Sequence, residues 1–433
     1  MLDDILRARR ETLRKLRERG VDPYPARSSV THTVSGALAS FETLAASREP
    51  VTLGGRILAL RNQGGILFAD LNDGTGKLQL LATAEKLDDF EEVRGFLDIG
   101  DIIQAGGVLT VTSRGEKSLD VSSLRLLAKS LRPLPSVWHG LEDVEERYRR
   151  RYLDIILNDE VRRDVVLRSE VVRALREEFA REGFIEVETP ILQPLSGGAI
   201  AAPFSTHHNA LDVDFYLRIA PELYLKRLLV AGFPKIFEIG RVFRNEGMDR
   251  EHSPEFSMLE LYWAYQDYHG LMAFIERILS RWIPGPYERA TYDELMRRHA
   301  GVSVADLDPE KIDEVFKREV RPRLAGPIFM TGHPKAISPL AKSSAEDPER
   351  TERFQLIMNS MEVVNGFSEL NDPIDQRERM EEQERRFRAG DPEASRLDEE
   401  FLEALEYGMP PAAGLGIGID RLIGIITGKP VKE

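Results

Sequence analysis

The stretch IFEIGRVFRNEGMDREHSPEFSMLELY, Ile236 to Tyr262, sets two alternating segments on either side of a charged, glycine-containing loop. That is the pattern of an antiparallel hairpin with a long polar tip. Period 2 places Glu238, Gly240, Val242 and Arg244 on one face of the first strand, and Phe256, Met258, Glu260 and Tyr262 on one face of the second. A carboxylate between Met258 and Tyr262 is unfavourable to bury unpaired and asks for a cation. Two readings fit: a salt-bridged surface hairpin, or a site whose ligand brings the cation. The loop from Asn245 to Pro254 adds Glu246, Arg250 and His252, charges suited to an anionic ligand that also offers hydrogen-bonding edges.

FRNEG followed by HSPEFSMLELY resembles motif 2 of the class II aminoacyl-tRNA synthetases, and the lysine-specific members match best. APELYLKR (Ala220 to Arg227), SPLAK (Ser338 to Lys342), NGFSELND (Asn365 to Asp372) and GLGIGIDR (Gly414 to Arg421) resemble the lysyl-tRNA synthetases in the same order. With the amino-terminal half, the resemblance spans nearly the whole chain. It implies an α+β protein: an N-terminal OB-fold β-barrel, then a class II synthetase catalytic domain, an antiparallel sheet flanked by helices. The implied activity is that of a lysine–tRNA ligase, in which ATP activates L-lysine to lysyl-adenylate, the lysyl group passes to tRNA(Lys), and Mg²⁺ is the cofactor. Two alternatives stand beside it. One is a lysine-activating paralogue that modifies a protein, a group that usually lacks the OB domain; the other is a synthetase-like RNA-binding protein impaired in catalysis.

A chain of 433 residues, 42% of them hydrophobic, is long enough for two or three domains with sizeable cores. The absence of cysteine excludes disulfides and thiolate metal sites and fits a reducing compartment. No apolar run approaches the ~18 residues of a membrane span, and MLDDILRARR has no signal-peptide core, so a cytoplasmic protein without a membrane partner is expected. A net charge of −14 argues against a blanket attraction to nucleic acid and leaves RNA contact to local basic patches. Residues 7–19 form one, and Arg147, Arg149, Arg150 and Arg151 another. Leu6, Leu13 and Leu16 give the first patch an apolar stripe, so it fits a helix packed on a partner equally well.

Residues 50–130 alternate in short runs punctuated by NQGG, NDGTG and SRGE turns. Five strands are predicted, Val51–Leu60, Ile66–Asp73, Gly76–Leu81, Ile102–Val111 and Ser118–Leu127, with a helix between the third and fourth, the content of an OB-fold. Leu67, Ala69 and Leu71 share the inward face of the second strand, so Phe68 points out; in the third, Leu78 and Leu80 point in and Gln79 out. An exposed aromatic beside an exposed amide is how OB-folds hold unpaired bases, although a lone exposed Phe is also ordinary surface. The resemblance assigns Arg61, Phe68 and Gln79 to the tRNA anticodon, while Gly65 stands where those enzymes usually carry lysine. Residues 1–131 are thus the N-terminal helix and anticodon-binding domain, 132–159 a proline-bearing, acidic linker, and 160–433 the catalytic domain with a short insertion at about 266–325.

The catalytic half opens with a predicted helix from Glu160 to Arg181, with Val165, Val166, Val171, Val172, Leu175 and Phe179 at helical spacing, and a strand, FIEVETPIL, closed by Pro190. The pair resembles motif 1, the dimer-forming element, and implies a homodimer. By the same resemblance lysine is bound by Gly197, Glu222, Glu260, Tyr262, Asn365, Phe367 and Glu369. Glu222 takes the α-amine; Glu260, Tyr262 and Glu369 take the ε-ammonium. ATP falls to Arg244, Glu246, His252, Phe256, Glu362 and Arg421, with Phe256 stacked on adenine. Arg244 and Arg421 are the implied catalytic residues, because attack of a bound carboxylate on the α-phosphorus needs positioning and charge neutralisation rather than a general base. Ala202 stands where lysyl enzymes usually carry arginine.

RFQLIM and MEVVNGF flank Asn359 and Ser360, a two-residue hairpin turn. That register pairs Met358 with Met361, Ile357 with Glu362 and Gln355 with Val364, making Gln355 and Glu362 diagonal neighbours on one face. Oxygen ligands at that separation suit Mg²⁺ on a triphosphate. The family carries a carboxylate at both positions. Asn365 and Glu369 fall on the opposite parity to Glu362, so a shared site needs a bulge, expected at Gly366. The final stretch, YGMPPAAGLGIGIDRLIGIITGKPVKE, resembles motif 3: a glycine-rich strand brings Arg421 to a helix start, where amides and guanidinium both face phosphate. GxGxG alone marks close packing just as well. The family normally continues past this helix into a further short strand, which this sequence does not reach.

Overall fold

In the computed structural model, which describes residues 2–135, 141, 143–247, 252–391 and 394–431 without the side chains of 309 and 310, the chain divides into two units, Met1–Asp159 and Glu160–Glu433. In the first, alternation closes β1 (Val51–Gln63), β2 (Ile66–Asn72), β3 (Lys77–Thr83), β4 (Ile102–Val111) and β5 (Lys117–Ala128) into a barrel of order β1-β2-β3-β5-β4. The helix Phe90–Phe96 lies between β3 and β4, as expected. Leu67, Ala69, Leu71, Leu78 and Leu80 are buried inside the barrel, and Phe68 and Gln79 point away from it, as the alternation requires.

The basic patches do structural work. Leu16 of the helix Leu2–Glu18 joins the barrel core, and the buried Arg9 donates to the carbonyls of Ser130 at 3.0 Å and Arg132 at 3.1 Å. Within the segment expected as a linker, the helices Val144–Arg149 and Arg151–Leu157 form, and Arg147 and Arg151 both pair with the buried Asp154. No helix among the described residues is long and apolar enough to cross a membrane.

The second unit is built on an eight-stranded sheet. Its strands are β6 (Ile185–Glu186), β10 (Lys235–Phe243), β11 (Glu255–Ala264), β12 (Glu288–Thr291), β13 (Ile328–Thr331), β14 (Arg353–Met358), β15 (Met361–Ser368) and β16 (Ala412–Gly418). The order is β12-β13-β14-β15-β16-β11-β10-β6, antiparallel throughout except for a parallel pair at each end. β7 (Leu192–Gln193), β8 (Ser205–His208) and β9 (Val213–Leu217) make a small separate sheet. One face of the large sheet, with Phe237, Leu259, Leu261, Leu415 and Ile417, packs on helices that contribute Leu175, Phe179, Phe274, Ile275 and Leu422. Period 2 then commits the alternate residues to the opposite face, which carries the site.

Several expectations are corrected here. The strand expected over FIEVETPIL is reduced to the two-residue β6 and, at Leu192, the start of β7; Val165 and Val166, at helical spacing with the buried Val171, Leu175 and Phe179, are 54% and 51% exposed. In the β14–β15 hairpin the pairs Met358–Met361 and Ile357–Glu362 form, but Gln355 pairs with Asn365, not Val364. The bulge is at Val363 rather than Gly366. Gly366 is held in regular pairing with Phe354, whose ring, together with the Gly414 carbonyl, leaves no room for a Cβ there.

Candidate active site

β10 and β11 pair Glu238 with Glu260, Gly240 with Met258 and Val242 with Phe256, so the face read from period 2 is real. Its members have different fates. Glu238 pairs with the buried Arg218 and accepts from Thr189 Oγ1 at 2.7 Å, which makes it structural. Glu260 is 4% exposed and accepts from Tyr262 Oη at 2.9 Å; among the described residues no cation pairs with it. Burial, with Glu222 nearby, holds its carboxyl well above the ordinary range.

Met258, Glu260 and Tyr262 line a cavity of about 1070 Å³ whose walls also carry Gly198, Glu222, Arg244, Glu246, His252, Phe256, Gln355, Glu362, Asn365, Phe367 and Arg421. Gly197 sits one residue away, against Leu223 and a smaller cavity. Glu369 lies just behind the wall, fully buried. Arg250 lies outside the described residues. Arg61, Phe68 and Gln79 belong to the barrel, where Arg61 pairs across strands with Phe68, Asp70 pairs with Gln79, and Arg61 Nη2 contacts Asp70 at 2.9 Å.

The Val363 bulge is what assembles the two ends of this wall. It restores one parity to Glu362, Asn365, Phe367 and Glu369, which an unbroken strand would split between core and cavity. β16 runs between β15 and β11 with Gly414 beside Phe367 and Tyr262, and Gly416 beside Asn365 and Glu260. A Cβ on Gly414 would strike both the Glu369 carboxylate and the Tyr262 ring, so the glycines form a floor without side chains.

Arg244 follows β10 with its guanidinium 5.2 Å from the Phe256 ring, and its Nε is buried without a hydrogen-bond partner among the described residues. Arg421 opens the helix Ile419–Thr427 and donates to the Glu362 carbonyl at 3.2 Å. That helix start is pinned by Asp420, which accepts from Arg168 Nη1 at 2.7 Å and from the Ser257 amide at 2.7 Å. The Gln355 amide donates to the Glu362 carboxylate, and its Oε1 faces His333 Nε2 at 3.2 Å.

Several lining residues escaped the sequence reading. His333 lies in no quoted motif, while Arg353 and, just behind the wall, Lys226 fall within quoted stretches without an assigned role; of the three, only Lys226 had a local signal, its spacing of one helical turn from Glu222. Arg353 Nε donates to Asn365 Oδ1 at 2.9 Å. The segment expected as an insertion packs its own cluster around Tyr292, Leu295, Met296 and Phe316, and puts Tyr292, Asp313, Lys317 and Arg321 on the cavity wall.

A family model described as tRNA synthetases class II (D, K and N) matches residues 143–432, and one described as OB-fold nucleic acid binding domain matches residues 51–127. The chain belongs to the class II tRNA synthetases of the D, K and N group. Within that group it is similar along nearly its full length to lysine–tRNA ligases. That of Pelotomaculum thermopropionicum is 45% identical over 469 residues, covering 98% of this chain and 92% of the relative. The lysine–tRNA ligase of Chloroflexus aurantiacus is 45% identical over 469 residues, 98% and 96%. That of Dehalococcoides mccartyi is 44% identical over 474 residues, 99% and 95%.

Proposed function

We propose that this chain is a lysine–tRNA ligase that activates L-lysine with ATP and transfers the lysyl group to tRNA(Lys). The observation that carries the reading is Glu260, a carboxylate enclosed with Tyr262 and left without a cation among the described residues, in a family whose members activate amino acids. A ligand ammonium supplies what that carboxylate lacks. Glu222 receives the α-amine; Glu260, Tyr262 and Glu369 receive the ε-ammonium; Gly197, Asn365 and Phe367 shape the pocket. Phe256 stacks on adenine, with Glu246 and His252 at the nucleotide. In the first step the lysine carboxylate forms an O–P bond to the α-phosphorus and pyrophosphate leaves. Arg244 and Arg421 hold the charge that develops, with no protein nucleophile. A tRNA ribose hydroxyl then attacks the lysyl carbonyl and AMP departs. Pyrophosphate exchange measured across all amino acids tests the assignment: lysine alone should drive it, and exchange driven by another amino acid would overturn it.

Magnesium, when bound, neutralises phosphate charge. Glu362 and Gln355 fit it as an oxygen pair, although no group of three or more His, Cys, Asp or Glu among the described residues could cage a metal, so phosphates and water would complete the shell. Burial pushes the His333 imidazole down to about 3, so it is neutral and has one N–H for two acceptors, the Arg353 carbonyl and Gln355 Oε1. A half-turn of the amide removes that mismatch and brings Oε1 beside Glu362, an arrangement a cation favours. An amide adds no charge. Gln355→Glu should therefore lower the Mg²⁺ concentration for half-maximal exchange several-fold without changing amino-acid preference. An unshifted Mg²⁺ dependence would remove Gln355 from the metal site.

Arg61, Phe68 and Gln79 form a contiguous patch outside the barrel that we assign to the anticodon. Stacking on an aromatic is worth about 1–3 kcal/mol per base. Phe68→Ala should slow aminoacylation by about tenfold or more at that value while leaving pyrophosphate exchange intact; loss of both would mean that Phe68 supports the barrel. The enzyme functions as a cytoplasmic homodimer in this reading. Support for the second copy comes from Val165, Val166, Ile185, Ile191 and Leu192, all 45–54% exposed within the helix and strand that resemble the dimer-forming motif.

A further inference from the structure

Lys226 is a buried cation just behind the proposed lysine pocket that binds nothing in the scheme above. Its Nζ lies 2.6 Å from Glu222 Oε1 and 2.6 Å from Glu369 Oε2, and its side chain is 0% exposed. The ammonium also sits 5.3 Å from the Phe367 ring centre. Burial opposes its charge, but Glu222 and Glu369 outweigh burial and raise its pKa, so it stays a cation. Among the described residues Glu260, the third carboxylate, is hydrogen-bonded only by the Tyr262 hydroxyl. Among the described residues Lys226 is the only cation within ion-pair distance of any of these three carboxylates; Arg353 and Arg244 act on Glu222 and Glu260 from farther off, so full ionisation would leave the pocket with too little positive charge in contact, which is strongly unfavourable. Without ligand, protons meet that demand: burial raises both Glu260 and Glu369, the latter to about 8 despite Lys226.

We propose that Lys226 is a positioning residue that sets the pocket's demand at two ligand ammonium groups, by occupying one oxygen each of Glu222 and Glu369 and so tuning the site to an amino acid with a second ammonium. The proposal rests on the reading of this cavity as a lysine site. Lys226 lies behind the wall and touches no reacting atom, so it acts on lysine binding rather than on phosphoryl chemistry.

Charge counting separates this role from simple support of the fold. Glu369→Gln leaves two carboxylates and Lys226, a demand for one cation, and lysine brings one too many. Removing Lys226 as well restores a demand for two. Lysine-dependent pyrophosphate exchange should therefore show a raised lysine KM, about tenfold or more, for Glu369→Gln and for Lys226→Met, with kcat and the KM for ATP within about threefold of the parent. The double variant should have a lysine KM at least about threefold below that of Glu369→Gln alone, a sign of coupling that independent defects cannot produce. A double variant worse than Glu369→Gln, or a Lys226→Met variant with an unchanged lysine KM, would overturn the role. If Lys226→Met alone does not fold, judged by its melting transition, the comparison of the double variant with Glu369→Gln still decides, because the double removes both sides of the ion pair. Should the parent fail to exchange with lysine at all, the lysine reading itself is at fault. Exchange by the parent together with a failed rescue condemns only Lys226's role.

Discussion

Glu260→Gln is expected to lower lysine-dependent pyrophosphate exchange by about 10²–10³, the order of the 3–5 kcal/mol lost when a buried ion pair is broken on one side. The side chain is enclosed, 4% exposed, and its contact with Tyr262 at 2.9 Å fixes where its other oxygen can meet a ligand. Gln is close to isosteric and keeps an oxygen for the Tyr262 hydroxyl, so the pocket's shape should survive. Its charge does not. The direction of the stability change distinguishes loss of recognition from loss of fold. Burial holds the Glu260 carboxyl well above its ordinary value, so at neutral pH the ligand-free native state keeps a proton that the unfolded chain has released. Such a group disfavours folding as pH rises above the ordinary carboxyl range, and Gln removes that liability. The variant should melt no lower than the parent in the absence of lysine while its exchange collapses. Undiminished exchange would remove Glu260 from the lysine pocket, and a lower melting temperature with intact exchange would make it a structural residue.

Arg244→Met should reduce adenylate formation by a comparable factor, about 10²–10³, as when one preorganised donor to a developing charge is lost. Arg244 has the marks of a side chain held for something absent. Its Nε is buried without a partner among the described residues, no carboxylate among them is in ion-pair contact with it, the Phe256 ring lies 5.2 Å away, and Glu246, Glu362 and Glu260 act on it only from a distance, opposed by the cationic Arg421. Burial lowers the guanidinium's pKa but leaves it charged. A charge kept buried with so little compensation does not pay for itself in stability, so Met, similar in length and apolar, should leave the melting transition where it is or raise it. Single-turnover formation of lysyl-adenylate is the direct measurement. Rates within about threefold of the parent would reassign Arg244 to packing against Phe256.

Much of this was legible in the chain. The face of β10 and β11 follows from period 2, and the pairing of Glu238 with Glu260 and Val242 with Phe256 is what that alternation implies. The barrel strands, and the outward aim of Phe68 and Gln79, follow for the same reason. The bulge was legible as a necessity but not as a place. Val363 and Val364 are both apolar, so no polarity change marks where β15 changes phase, and Gly366 drew attention by its composition alone. Val165 and Val166 show what spacing leaves open: it reports an apolar face and says nothing about whether this chain or another molecule covers it. His333 and Arg353 reach the site through strand neighbours, a relation that no local pattern encodes. The alternative fates of Glu238 and Glu260, one tied to Arg218 and the other left open, depend on a residue some twenty positions upstream.

The displaced phase at Val363 behaves like a dislocation in a lattice. On its two sides the chain presents the proposed phosphate end, Glu362, and the proposed lysine end, Asn365 to Glu369, as if cut from different rulers and joined by one extra mark. Side chains on either side can be exchanged without disturbing the other, but the count of residues between them cannot change. Loss of one residue there would rotate Asn365, Phe367 and Glu369 into the core and bring Val364 and Gly366 to the cavity. The tightest constraint on this stretch is therefore on its length, and comparisons of related chains should find gaps excluded between these two ends even where the identities of the apolar residues drift.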